Sequence, residues 1–187
     1  MPKGDPILFG VTTGAEVSLW TLSTQDKKIA RFGDVRSSFP TNSGFSPDGR
    51  WVAYASSDTG QSIEIYVQPF PSTGAKYQIS KHLRSHHSFW SRDGKELFYV
   101  PGPSPAPFVV VTVATQPSFT FGTAGEVPKS GFLEGGPGFA RNYDITPDGK
   151  IVGVVMAGWT QSGTLANRQI QVVLNWFEEV KQRTSVK

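Results

Sequence analysis

A chain of 187 residues that is 37% hydrophobic, 12% aromatic and only 18% charged holds enough apolar material to fold, which excludes global disorder. The net charge of +3 is dispersed with no Lys/Arg run longer than a pair, which argues against a nucleic-acid surface. The absence of cysteine excludes disulfides and thiolate chemistry and leaves the compartment open. No apolar run approaches the ~20 residues of a membrane span, and Met1–Asp5 leads straight into a strand with no signal-peptide pattern.

In chain order, a first unit over 1–36 carries strands at Ile7–Val11, Val17–Leu22 and Lys28–Phe32. It lacks an inner strand, because Met1 lies at the turn itself. The second unit, 37–80, opens on Asn42–Phe45. A turn, Ser46-Pro47-Asp48-Gly49-Arg50, leads to Trp51–Ala55, then Ile63–Gln68 and Lys76–Ser80. Pro47 pre-sets φ, Asp48 can accept from nearby backbone N–H groups, and Gly49 takes the position of positive φ. The third unit, 81–134, repeats the plan with His87–Trp90, the turn Ser91-Arg92-Asp93-Gly94-Lys95, Glu96–Val100 and, after the proline-rich stretch 101–107, Phe108–Val113. The fourth, 135–175, has Arg141–Ile145, the turn Thr146-Pro147-Asp148-Gly149-Lys150, Ile151–Val155 and Ile170–Leu174. A capping box at Asn175–Glu178 predicts a short helix over 176–183.

Counted on the second turn residue, the copies fall at 2, 47, 92 and 147, with a weaker first copy at Pro2–Phe9. A spacing near ~45 residues, with about four strands per unit, is that of β-propeller blades. The second strands are apolar almost throughout, as required when both faces are covered. Val52, Ala53, Tyr54, Leu97, Phe98, Tyr99, Val152, Gly153 and Val154 are therefore expected to be buried. The predicted fold is all-β: about four antiparallel blades, the C-terminal part of a larger propeller, followed by the helix. An arc left open at its ends predicts self-association or pairing with the missing blades.

The turn copies resemble the TolB-like, WD-repeat-like propeller repeat of bacteria. Ile65-Tyr66-Val67-Gln68-Pro69-Phe70-Pro71 and Val172–Glu179 resemble the C-terminal propeller of bacterial serine/threonine protein kinases and of related winged-helix regulators. The resemblance covers nearly the whole chain. It implies a propeller of six or so blades joined to an effector through a membrane span, hence extracytoplasmic, acting as the sensory or scaffold part of a signalling protein. This sequence has about four blades and no Gly-rich phosphate loop, His-Arg-Asp loop or Asp-Phe-Gly, so kinase activity does not carry over. The expected role is a non-catalytic module for recognising a protein or small ligand, with no cofactor. An accessory propeller of a separately encoded peptidase or hydrolase is the alternative.

No Gly-x-Ser-x-Gly elbow is present, so no catalytic residue is assigned. The turn aspartates Asp48, Asp93 and Asp148 sit at equivalent places in separate blades and read as turn caps rather than metal ligands. Trp20, Tyr66, Trp90 and Trp176 recur with the repeats and read as core. The segment Lys81-His82-Leu83-Arg84-Ser85-His86-His87 joins two blades on the face where propellers often bind ligands. Arg84, His86 and His87 are the candidate ligand-binding residues, for an anion or a peptide. No metal is assigned, because neighbouring strand residues point to opposite faces, which keeps His86 and His87 from sharing one ion.

Overall fold

The computed structural model describes residues 6–57, 62–81, 84–103, 106–129 and 131–155, and among them every regular element is a strand. The first sheet is an antiparallel meander of β1 (Ile7–Thr13), β2 (Glu16–Leu22) and β3 (Ile29–Ser37). The second holds β4 (Gly44–Phe45), β5 (Trp51–Ser56), β6 (Glu64–Pro69) and β7 (Tyr77–Gln78) in sequence order. The third holds β8 (His86–Trp90), β9 (Glu96–Val100), β10 (Phe108–Ala114) and β11 (Thr120–Val127), also in order. The fourth pairs β12 (Tyr143–Ile145) with β13 (Ile151–Gly153).

The period-2 alternation of each strand divides its side chains between two neighbouring sheets. On β5, Trp51, Ala53 and Ala55 enter the core shared with the third sheet, where Leu97, Tyr99, Val109 and Val111 meet them. The intervening Val52 and Tyr54 enter a separate core with Leu19, Phe32 and Val35 of the first sheet. β9 divides in the same way: Leu97 and Tyr99 face the second sheet, while Phe98 and Val100 pack with Phe89, Phe108, Tyr143 and Ile145 toward the fourth. Sheets with two apolar faces stacked in sequence are the arrangement that the continuous apolar runs demanded.

The repeated turn is held alike in three places. Gly49, Gly94 and Gly149 have φ of 72°, 72° and 83°, in the left-handed region that favours glycine. In the second unit Ser46 Oγ donates to Asp48 Oδ1 at 2.5 Å and accepts from the Trp51 N–H at 3.0 Å, while Asp48 Oδ1 accepts from the Arg50 N–H at 3.1 Å. Ser91 and Asp93 repeat this, and Thr146 takes the serine's place beside Asp148. Neighbouring units are also tied together. Trp90 Nε1 donates to the Gly44 carbonyl at 3.2 Å, and Arg141 donates to the Ser88 carbonyl at 2.8 Å.

Two features depart from expectation. Val152, Gly153 and Val154 are exposed, the two valines at 50% and 52%. The fourth sheet has two strands among the described residues, and these three residues line an open cleft shared with Asn42 and Ser43. The strand β11 was not anticipated, because Phe121-Gly-Thr-Ala-Gly-Glu shows no alternation. Almost all of it is exposed, and it is held by its ladder to β10. The expected strand at 170–174 and the helix at 176–183 lie outside the described residues.

Candidate ligand-binding site

The first residues of β8 lie in the core rather than in solvent. His86 and His87 are 3% and 1% exposed. Across the β8–β9 ladder His86 pairs with Val100 but Phe89 pairs with Phe98, so three steps on β8 oppose two on β9. That one-residue bulge places His87 at φ 54°, a left-handed conformation that is uncommon outside glycine. The alternation is broken at this point, and the two imidazoles meet instead of diverging. Their Nδ1 atoms lie 3.0 Å apart, with ring centroids at 4.5 Å. The expectation that adjacent histidines must face apart is corrected by this bulge.

His87 Nε2 lies 2.9 Å from the Phe139 carbonyl. A carbonyl can only accept, so this nitrogen carries the proton and Nδ1 of His87 keeps its lone pair. His86 Nδ1–H then donates across the 3.0 Å contact. Burial, reinforced by the adjacent His87, pulls His86 down to about 4. Burial also lowers His87, against the opposing pull of the bond to Phe139. Both rings are accordingly neutral near pH 7.

The chain following β11 supplies the rest of the cluster. Ring nitrogens of His86 and His87 and a carboxylate oxygen of Glu134 all lie within 4.8 Å of one another. Lys129 is paired with Glu134, and both side chains are 4% exposed. The Lys129 ammonium also stands 5.2 Å from the Phe108 ring centroid and 5.9 Å from that of Tyr143, where ring faces attract a cation. The Tyr143 ring packs edge-on to His87 at 6.1 Å, and burial pushes its phenol far above the ordinary range.

Tyr143 also belongs to a cleft of about 720 Å³ between the leading segments of the second and fourth sheets. Asn42 and Ser43 line one side, and Arg141, Asn142 and Asp144 the other. Arg141 is fixed by bonds to the Ser88 and Tyr143 carbonyls and faces Asp144 at 3.4 Å. Its partial burial lowers its pKa, against the pull of Asp144. Val152, Gly153 and Val154 complete the lining, so the wall combines donors and acceptors of both charges with apolar surface.

The three candidate residues thus separate. His86 and His87 are brought together in the buried cluster, whereas Arg84 is exposed, with φ 51°, at the start of the segment. Glu134, Lys129 and Arg141 were not foreseen. Lys129 and Glu134 come from a stretch without periodicity, and nothing local in the sequence links them or Arg141 to residues some fifty positions away. Each turn aspartate is bonded within its own turn. Burial of Asp48 works against ionisation, but the bonds from Ser46 and Arg50 win and hold its carboxyl below the usual range. Asp93 is lowered by the Ser91 hydroxyl and the Lys95 N–H, and Asp148 by Lys150 and Thr146.

Comparison with known proteins locates the chain by fold. No family model matches the sequence, and no curated protein matches it. Among solved structures it is similar to TolB from Acinetobacter baumannii, with a TM-score of 0.61 at 18% identity, covering 83% of this chain and 36% of that one. It is similar also to a TolB of Agrobacterium tumefaciens, with a TM-score of 0.55 at 17% identity, covering 80% of this chain and 53% of that one. The fold is a TolB-like β-propeller fold, and the chain spans between a third and about half of these two proteins.

Proposed function

We propose that this chain is a non-catalytic recognition module, a run of blades within a larger propeller, serving as the sensory or scaffold part of a bacterial signalling protein such as a serine/threonine kinase. The observation that carries the reading is the cleft between the second and fourth sheets. Its lining of Asn42, Ser43, Arg141, Asn142 and Asp144 offers side-chain donors and acceptors of both charges, and Val152 and Val154 offer apolar surface, to an extended peptide. The hydrogen bonds of the His pair support a non-catalytic role. They run between the two rings and to the Phe139 carbonyl, not to a serine or threonine that they would activate. The resemblance of Ile65–Pro71 to kinase-linked propellers is what attaches the module to signalling.

A peptide library displayed on phage, selected on the purified chain, tests the cleft. Selected peptides should bind wild type and lose affinity at least tenfold to Ser43→Trp, which fills the cleft while circular dichroism stays native. Peptides indifferent to that substitution would place recognition elsewhere. Turnover of ester, peptide or phosphoryl-donor substrates by the purified chain would overturn the non-catalytic reading. A gene neighbourhood with a hydrolase instead of a kinase or regulator would overturn the signalling assignment.

A further inference from the structure

We propose that His86, His87 and Glu134 form a binding site for a divalent cation of the zinc class. The site stands independently of peptide recognition at the cleft.

Three observations converge on it. The first is the donor set. Two neutral imidazoles and a carboxylate converge within 4.8 Å, and imidazole with carboxylate suits zinc rather than the all-oxygen cations. Two nitrogens bound at ~2.0–2.1 Å in a tetrahedral site are roughly 3.3 Å apart. The 3.0 Å between the Nδ1 atoms needs to open by only a few tenths of an ångström.

The second is orientation. A metal-bound histidine commonly donates its other ring N–H to a carbonyl, which fixes the tautomer and aims the lone pair. His87 makes that bond to Phe139, leaving Nδ1 as the donor atom. His86 contributes Nδ1 once its proton moves to Nε2, a change of tautomer with no change of charge.

The third is the backbone. A regular strand would send these two side chains to opposite faces. The one-residue bulge and a non-glycine left-handed residue are what bring them together. Such strain persists where surrounding structure holds it, and it concentrates at functional positions. Ser85 and Ser88, which flank the pair, are buried, and their hydroxyls find no partner among the described residues, so the surroundings are polar.

Lys129 holds the carboxylate in the structure, so cation uptake exchanges one positive charge for another on Glu134. The ammonium is displaced, and the three protein ligands leave a fourth position for water.

The test is titration of the untagged, chelator-treated full chain with Co²⁺, followed by Zn²⁺. We expect one equivalent of Co²⁺ to bind with the ligand-field absorption of a tetrahedral site, and Zn²⁺ to displace it. Glu134→Gln and His87→Gln should each weaken binding at least tenfold. Lys129→Met should tighten it. His82→Gln, which changes the chain's third histidine, should leave it unchanged. Circular dichroism establishes that each variant is folded. If His87→Gln fails to fold, Glu134→Gln decides. The proposal is overturned if folded wild type takes up neither ion, or if Glu134→Gln binds as tightly as wild type. Loss on His82→Gln, or no gain on Lys129→Met, also overturns the site as drawn.

Discussion

At the scale of single residues, the repeated turn concentrates the most local information into the fewest atoms. Gly94 has φ 72°, and a Cβ built there would stand 3.4 Å from Pro47 Cδ of the preceding turn. That is ordinary contact, so the cost of Gly94→Val comes from the left-handed backbone and should be about 1–3 kcal/mol. Gly44→Ala is the control. Gly44 has open space around its Cβ position and no positive φ, so the cost should stay below about 1 kcal/mol by urea denaturation. The turn aspartates predict a pH dependence. Their folded pKa values lie below the ordinary value of about 4, so their contribution is complete above that pH and is lost as pH falls through the lower folded value. The triple variant Asp48→Asn, Asp93→Asn, Asp148→Asn should lose its thermal midpoint less steeply than wild type below about pH 4. The buried histidines also favour the folded state at higher pH, but they are common to both proteins and cancel in the difference. Parallel curves for the two proteins would show that the carboxylates contribute nothing.

At the scale of elements, a strand's stability follows from how many of its faces are covered. Leu97 on β9 is fully buried between the second and third sheets, against the shared core of Trp51, Ile65 and Val111. Leu97→Ala removes packing on a surface that cannot collapse independently of two sheets, and should cost about 2–5 kcal/mol in urea. A cost under about 1 kcal/mol would mean that the sheets are not packed face to face in solution. The contrast is β11, whose side chains are almost all exposed. It is an edge strand, and its sequence carries little of the pattern that packing imposes.

At the scale of the whole molecule, Val152 in the last strand of the fourth sheet and Val154 and Val155 just beyond it are about half exposed. An apolar strand face of that kind favours association. The chain should elute in size-exclusion chromatography with a light-scattering mass above that of one chain. Val152→Asp combined with Val154→Asp should return it to a single chain with little change in thermal midpoint, because both side chains already meet solvent. A wild-type monomer at high concentration would show that this face is covered in some other way.

The sequence by itself determined the repeat, the turns and the blade order. The turns depend on φ preferences and on bonds spanning two to five residues, and the doubly apolar strands Trp51–Ser56 and Glu96–Val100 state their own burial through their composition. The sequence also pointed to the His86–His87 segment, though as a blade-joining connection grouped with Arg84. Only the tertiary structure decided that the pair is buried, that a bulge turns both rings to one side, and that Glu134, Lys129 and Tyr143 close around them. It alone decided that Val152 and Val154 lie bare. The physical reason is one of range. Turn chemistry and strand alternation are written among neighbours, whereas a bulge is set by the partner strand's register. Exposure is set by whether a second sheet arrives, and neither is encoded within the segment it changes.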